Sequence, residues 1–237
     1  MKRRSGAPAV LIEKSNSHSL GATVTLALAD ISVAGMSHDG TLLWLAASER
    51  GVVAYDPASG ATEARLAYPH EVWDVAPAEE GLWLLTAGGR LDRQIVFWSF
   101  AENRETRTYG CPDGAGAGLA LYDAKLWLPH RHNRKLFCLD PKTGKTNWVM
   151  RTEREVFSPA AYKNELWFIE ADPGPLGHWS GAEQAKYFLC RYDPARERVL
   201  ERIAVPFAPR CMAPDGARFW YAEFSRTGIA STKKNPG

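Results

Sequence analysis

Long apolar runs are missing from this 237-residue chain, so no segment reads as a membrane span. An excess of charge is missing too. The 29 Lys and Arg stand against 27 Asp and Glu, a formal net charge of +2. That balance supplies no general attraction to nucleic acid or to a membrane surface. Cysteine is scarce, and Cys111, Cys138, Cys190 and Cys211 form no C-x-x-C pair. This removes the zinc-ribbon and thioredoxin readings. There is no Gly-rich phosphate loop, no nucleophile elbow and no nucleic-acid-binding module. No amphipathic 3.6-residue period survives for long, because Gly and Pro interrupt the chain every 8–12 residues. The N-terminus, MKRRSGAPAVLIEK, starts basic, but its apolar stretch ends at Ile12, too short for the core of a signal peptide. A cytoplasmic protein is the expectation.

Tryptophan, by contrast, is plentiful and periodic. LLWL (42–45), GLWL (81–84), KLWL (125–128), ELWF (165–168) and RFWY (218–221) place Trp44, Trp83, Trp127, Trp167 and Trp220 at spacings of 39, 44, 40 and 53 residues. Most copies are followed by a strand and a tight turn: VVAYDPASGAT (52–62), KLFCLDPKTGKT (135–146) and FLCRYDPARERV (188–199). The copy at 95–106, IVFWSFAENRET, is degraded. In Asp-Pro-x-x-Gly, Pro has its φ preset for a turn and Gly accepts a positive φ. Each tryptophan is preceded by another short apolar strand closed by a turn, as in ISVAGMSHDG and EVWDVAPAEEG.

Each unit therefore reads as four short strands, a to d. Repeats of about 40 residues with four strands each indicate a β-propeller. The fold expected is all-β, one domain of five four-stranded blades. Their approximate spans are 31–69, 70–109, 110–153, 154–206 and 207–230, the last completed by 9–30. In that scheme AVLIEK and TVTLALAD supply strands c and d of the last blade and close the ring, which removes two sheet edges.

The motifs LWFIE (166–170), FWYAE (219–223), YDPASG (55–60) and LDPKTG (139–144) resemble those of the propellers that include virginiamycin B lyase, the gluconolactonase-type propellers and the pyrroloquinoline-quinone-type repeats. Five blades are closer to the propeller-type glutaminyl cyclases. CPDGAGAGLALYDAKLWL (111–128) resembles the gluconolactonase pattern, in which the PDG aspartate is a metal ligand. The resemblance carries that role to Asp113, with Ca, Mg, Mn or Zn as the divalent metal.

Propeller geometry places the a–b and c–d turns on one face and the b–c and d–a loops on the other. The first set is short and turn-like. The second, the top face, holds longer polar loops, and loops on a rigid scaffold are where binding concentrates. Three residues beyond each blade tryptophan stand Ala47, Thr86, His130, Glu170 and Glu223, all expected at one height near the top. His130, Glu170, Glu223 and His70 are the candidate catalytic groups. His132, Arg134, His178, Trp179, Glu71 and Arg210 are candidate ligand-binding residues. His130 and His132 are one residue apart, so they could chelate one ion, serve an anionic ligand as acid–base groups, or simply form a basic loop with Arg131, Arg134 and Lys135. Glu71 and Glu155 occupy equivalent places in EVW and EVF, which suits a repeated salt bridge as well as a site.

Two functions fit. One is a small-molecule enzyme of lyase, lactonase or cyclotransferase type, with a polar and optionally metal-assisted site at the top of the channel. The other is a non-catalytic propeller that binds a protein or small molecule through the same face. Neither involves nucleic acid or membrane.

Overall fold

The computed structural model describes residues 9–14, 20–26, 32–47, 51–87, 92–172, 185–215 and 218–223, the first two segments by backbone alone. Four sheets are each built from four consecutive antiparallel strands. The first contains β3 (Val33–His38), β4 (Leu43–Ala47), β5 (Gly51–Tyr55) and β6 (Thr62–Leu66). The second contains β7 (Val72–Ala78), β8 (Gly81–Ala87), β9 (Arg93–Ser99) and β10 (Arg104–Gly110). The third contains β11 (Ala120–Tyr122), β12 (Lys125–His130), β13 (Lys135–Leu139) and β14 (Thr146–Arg151). The fourth contains β15 (Glu155–Tyr162), β16 (Glu165–Asp172), β17 (Lys186–Asp193) and β18 (Arg198–Val205). Among the described residues there is no α-helix, and only a 3-10 turn at Pro112–Gly114.

The expected count of five blades is corrected here. Four blades are self-contained. The fifth sheet is a composite, ordered β19 (Pro209–Pro214), β20 (Arg218–Glu223), β1 (Ala9–Lys14), β2 (Leu20–Leu26). The physical reason is that the last tryptophan unit has only two strands of its own. Its exposed edge is taken up by β1, which pairs antiparallel with β20 from Ala9 opposite Ala222 to Glu13 opposite Arg218.

Local chemistry explains the repeat. In the turns after β5 and β13, Asp56 and Asp140 accept the backbone N–H of Ala58 at 2.8 Å and Lys142 at 2.7 Å. Gly60 and Gly144 then take φ of 77° and 69°, where L side chains are strained. The tryptophans of four of the five units are held at the indole N–H. Trp44 donates to Asp39 at 2.6 Å, Trp167 to Glu165 and Trp220 to Asp215 at 3.1 Å, and Trp127 to the Tyr122 carbonyl at 3.2 Å. Asp215 of the second PDG is therefore a turn clasp.

The core lies between sheets. Each cluster of buried side chains joins two neighbours: Leu45 with Trp220, Trp167 with Phe219, Trp83 with Leu128, Leu136 with Phe168, and Val52 with Leu84. The first strand of each sheet packs on the first strands of the sheets beside it, round a central channel. Four of these inner strands carry a one-residue bulge at the same place. The extra residue is Ala34 in β3, Trp73 in β7 and Arg210 in β19, with Ser158 and Pro159 sharing it in β15. A bulge leaves its residue outside the ladder and re-aims its side chain.

Hydrogen bonds run across these strands as a partial belt. The Leu119 N–H donates to Asp74 Oδ2 at 2.8 Å, the Ser158 N–H to the Ala117 carbonyl at 2.8 Å, and the Met212 N–H to Ser158 Oγ at 2.9 Å. Asp74, Ser158 and the peptide before β11 thus tie three blades to the composite sheet.

Candidate functional site

The bulges open a cavity of about 390 Å³ at one end of the channel. Ala34, Trp73, Ser158 and Arg210 all line it, joined by Asp74, Arg93, Phe157, Cys211, His130 to His132 and the segment Gly114 to Gly118. Every inner strand or its approach contributes a wall.

The walls are rich in positive charge. The Arg93 guanidinium lies 4.3 Å over the Trp73 ring, and burial lowers its pKa somewhat while leaving it a cation. Arg131 stacks 4.4 Å over Phe157 and donates to Glu155 Oε2 at 2.7 Å. Glu155 is 0% exposed, so Arg131 is the counter-charge that permits its burial. His132 Nδ1 stands 3.6 Å from Glu155 Oε1. By contrast, no carboxylate among the described residues is within ion-pair distance of Arg93 or Arg210. Glu71 acts on Arg93 from beyond that distance, so the cavity holds two guanidinium groups with no salt-bridge partner among the described residues.

His130 is 9% exposed, at the end of β12. Asn133 engages both ring nitrogens: its backbone N–H donates to Nδ1 at 3.3 Å and its side-chain amide lies 3.3 Å from Nε2. Burial holds the His130 pKa below the usual histidine value, with Asp113 acting in the other direction. The Asp74 carboxyl is buried against the cavity wall, where desolvation pushes it up to about 8 against two backbone N–H donors, Leu119 and Val75. Cys211 faces the same cavity at 1% exposure, and burial, then the neighbouring Asp74, drives its thiol pKa far up. It is an unreactive, protonated thiol.

The structure brings together His130, His132 and Arg210 of the residues singled out by sequence. It separates the others from them. The Glu170 carboxylate accepts from Arg202 Nε at 2.8 Å and lies 3.5 Å from Arg154 Nη1, in the fourth blade. Replacing it leaves two cations facing each other around a half-buried site. Glu170→Gln is expected to lower stability by about 1–3 kcal/mol without changing ligand binding in the channel, read by urea unfolding beside a titration. Glu223 ends β20 exposed. His70 is exposed and packs edge-on against Tyr68, with ring centroids 5.9 Å apart. Exposed Glu71 accepts the Ala87 N–H through its own carbonyl. Arg134 sits in the turn after β12 with φ of 52° and donates to the Glu153 carbonyl at 3.1 Å. His178 and Trp179 lie outside the described residues.

Asp113 accepts from Lys135 Nζ at 2.7 Å, and this hydrogen bond holds its carboxyl below the usual range. Among the described residues no three His, Cys, Asp or Glu side chains gather as a divalent cation requires. The donor set around Asp113 and the histidines does not fit a metal.

Sequence reasoning missed Asp74, Arg93, Trp73 and Ser158. A signal was available: EVW (71–73), EVF (155–157) and APR (208–210) end at or beside the bulge of successive inner strands. Counting from those triplets, instead of from the tryptophans of the next strand, leads to the cavity.

No family model matches the chain, and no curated protein matches it. Among solved structures, glutaminyl cyclase of Myxococcus xanthus aligns with a TM-score of 0.61 at 14% identity, covering 81% of this chain and 86% of that one. A chain of the mitotic checkpoint complex aligns with a TM-score of 0.51 at 16% identity, covering 93% and 84%. These likenesses are of fold: the chain is a β-propeller. The first is a cyclase, and the second is part of a complex. No helix among the described residues is long and apolar enough to cross a membrane.

Proposed function

We propose that the channel cavity takes a small anionic molecule, one bearing carboxylate or phosphate, and that the histidines beside it provide acid–base chemistry. The observation that carries this reading is the pair of guanidinium groups, Arg93 and Arg210, on a 390 Å³ cavity, neither with a carboxylate within ion-pair distance among the described residues. An anion supplies the missing partner, and Arg is suited to bidentate contact with carboxylate or phosphate. His130, held through both ring nitrogens by Asn133, shapes the wall beside the ligand. His132, steadied by Glu155, accepts or returns a proton. Lyase, lactonase or cyclotransferase chemistry is the reaction class these groups suit; a non-catalytic ligand-binding propeller uses the same arginines without turnover.

A thermal-melt panel of small carboxylates, phosphate monoesters and their neutral esters tests the proposal. Anions are expected to raise the melting temperature and neutral esters to leave it unchanged, since a ligand that binds only the folded state stabilises it. Anions that stabilise are then followed by NMR for turnover. Turnover lost in His132→Gln supports catalysis, and binding without turnover supports the non-catalytic form. A panel in which no anion shifts the melt contradicts the reading.

A further inference from the structure

The opposite end of the channel carries a second opening, a groove of about 770 Å³. Its chemistry is the reverse of the first. Asp39, Asp56, Glu63 and Glu79 line it, and no Lys or Arg does. Asp39 and Asp56 are spent on turns, bonded to Trp44 Nε1 and to Ser59 Oγ at 2.6 Å each. Glu63 and Glu79 have no ion-pair partner among the described residues.

Two further features point to a ligand. Phe100 is 49% exposed at the rim, stacked on Trp44 with ring centroids 6.1 Å apart. An exposed aromatic pair beside unpaired carboxylates suits the alkyl stem and charged head of a cationic side chain. On the floor, His38 is 8% exposed. Its Nδ1 accepts the Gly40 N–H at 3.1 Å, so the neutral ring carries its proton on Nε2, which has no hydrogen-bond partner among the described residues. The side chain is buried but lines the open groove, so a peptide carbonyl lying there can accept from Nε2.

Shape selects the occupant. The groove runs from Ser37 and His38 on innermost β3 to Glu63 on outermost β6. The three spacings between those four strands, about 4.8 Å each, cover roughly 14 Å. At about 3.3 Å per residue that is the reach of about four residues of extended chain.

We propose that this groove docks an extended basic segment of another protein, with its lysine or arginine side chains held by Glu63 and Glu79 against Phe100 and a main-chain carbonyl accepted by His38. The site is independent of the anion cavity, and either can fail alone.

The test is fluorescence anisotropy of a labelled, end-blocked tetralysine peptide with the full chain, with tetraglutamate as the opposite-charge probe and spermidine as competitor. Tetralysine is expected to saturate and tetraglutamate not to bind. Glu63→Gln with Glu79→Gln is expected to weaken binding roughly tenfold, and Phe100→Ala by a similar factor, each at unchanged circular dichroism. All three positions are on the surface, so these variants keep the fold. Absence of saturable binding at low ionic strength overturns the proposal. So does full affinity in Phe100→Ala, which leaves only unspecific attraction between charges. Displacement by spermidine at concentrations equal to the peptide's overturns it in favour of a small organic cation.

Discussion

Gly35→Ala is expected to cost the propeller about 3 kcal/mol or more and to lower its melting temperature by roughly 10 °C. Gly35 sits in β3 directly after the bulged Ala34, where β3 passes closest to β7. A Cβ at that position meets Asp74 Oδ1, and falls 2.5 Å from the Trp73 carbonyl oxygen and 2.6 Å from Asp74 Cα. Two of these neighbours are backbone, so no rotamer change relieves the clash; the inner strands of two blades must move apart. That movement disturbs the bond from Leu119 to Asp74 and the cavity wall together. Thermal unfolding by circular dichroism checks the effect, and a melt within about 2 °C of wild type would show that the inner strands have slack that close packing denies them.

Asp74 makes the second large effect, and its sign follows from where the proton sits. Burial raises its carboxyl to about 8, whereas an aspartate in an unfolded chain titrates near 3.9. Between those values the folded protein holds a proton that the unfolded chain has released. The stabilising contribution is complete below the unfolded value, declines through the window and is lost as pH rises through about 8. The slope inside the window is roughly 1.4 kcal/mol per pH unit, several kcal/mol in total. Asp74→Asn removes the ionisation. Its amide turns an NH₂ group toward either the Leu119 or the Val75 N–H, a cost of about 1–3 kcal/mol that does not change with pH. Wild type is therefore expected to lose stability relative to Asp74→Asn as the pH is raised from 4 to 9, measured by urea unfolding of both proteins at each pH. Parallel stability curves would mean that the two N–H donors keep Asp74 ionised in the fold.

Much of the architecture was legible in the chain because it is written in local chemistry. The Asp-Pro-x-x-Gly turns and the evenly spaced tryptophans each have a short-range cause: an aspartate accepting nearby N–H groups, a glycine at positive φ, an indole clasped by its own turn. The blade count was less secure, because the last unit has two strands and its completion is a long-range pairing of β20 with β1.

The site was legible only in part, for a different physical reason. The position of a residue along its strand follows from register. Direction does not: three residues beyond a tryptophan, one side chain meets Arg202 and Arg154 while another meets the channel. The cavity is made by bulges, and a bulge breaks the alternation from which direction is inferred. Trp73, Ser158 and Arg210 reach the channel because their strands slip by one residue, an event visible only once the partner strand is in place. Arg93 and Asp74 carry no motif; what distinguishes them is that both line the channel cavity.

The most direct measurement of the central claim is isothermal titration of the stabilising anion into wild type and into Arg93→Gln with Arg210→Gln. The anion-site reading predicts saturable one-to-one binding that weakens with added salt, and a loss of about a hundredfold or more in the double variant, as expected when charge-assisted pairs are removed from a half-buried cavity. Equal affinity in the two proteins would contradict it, because the remaining guanidinium on this cavity among the described residues, Arg131, is already paired with Glu155.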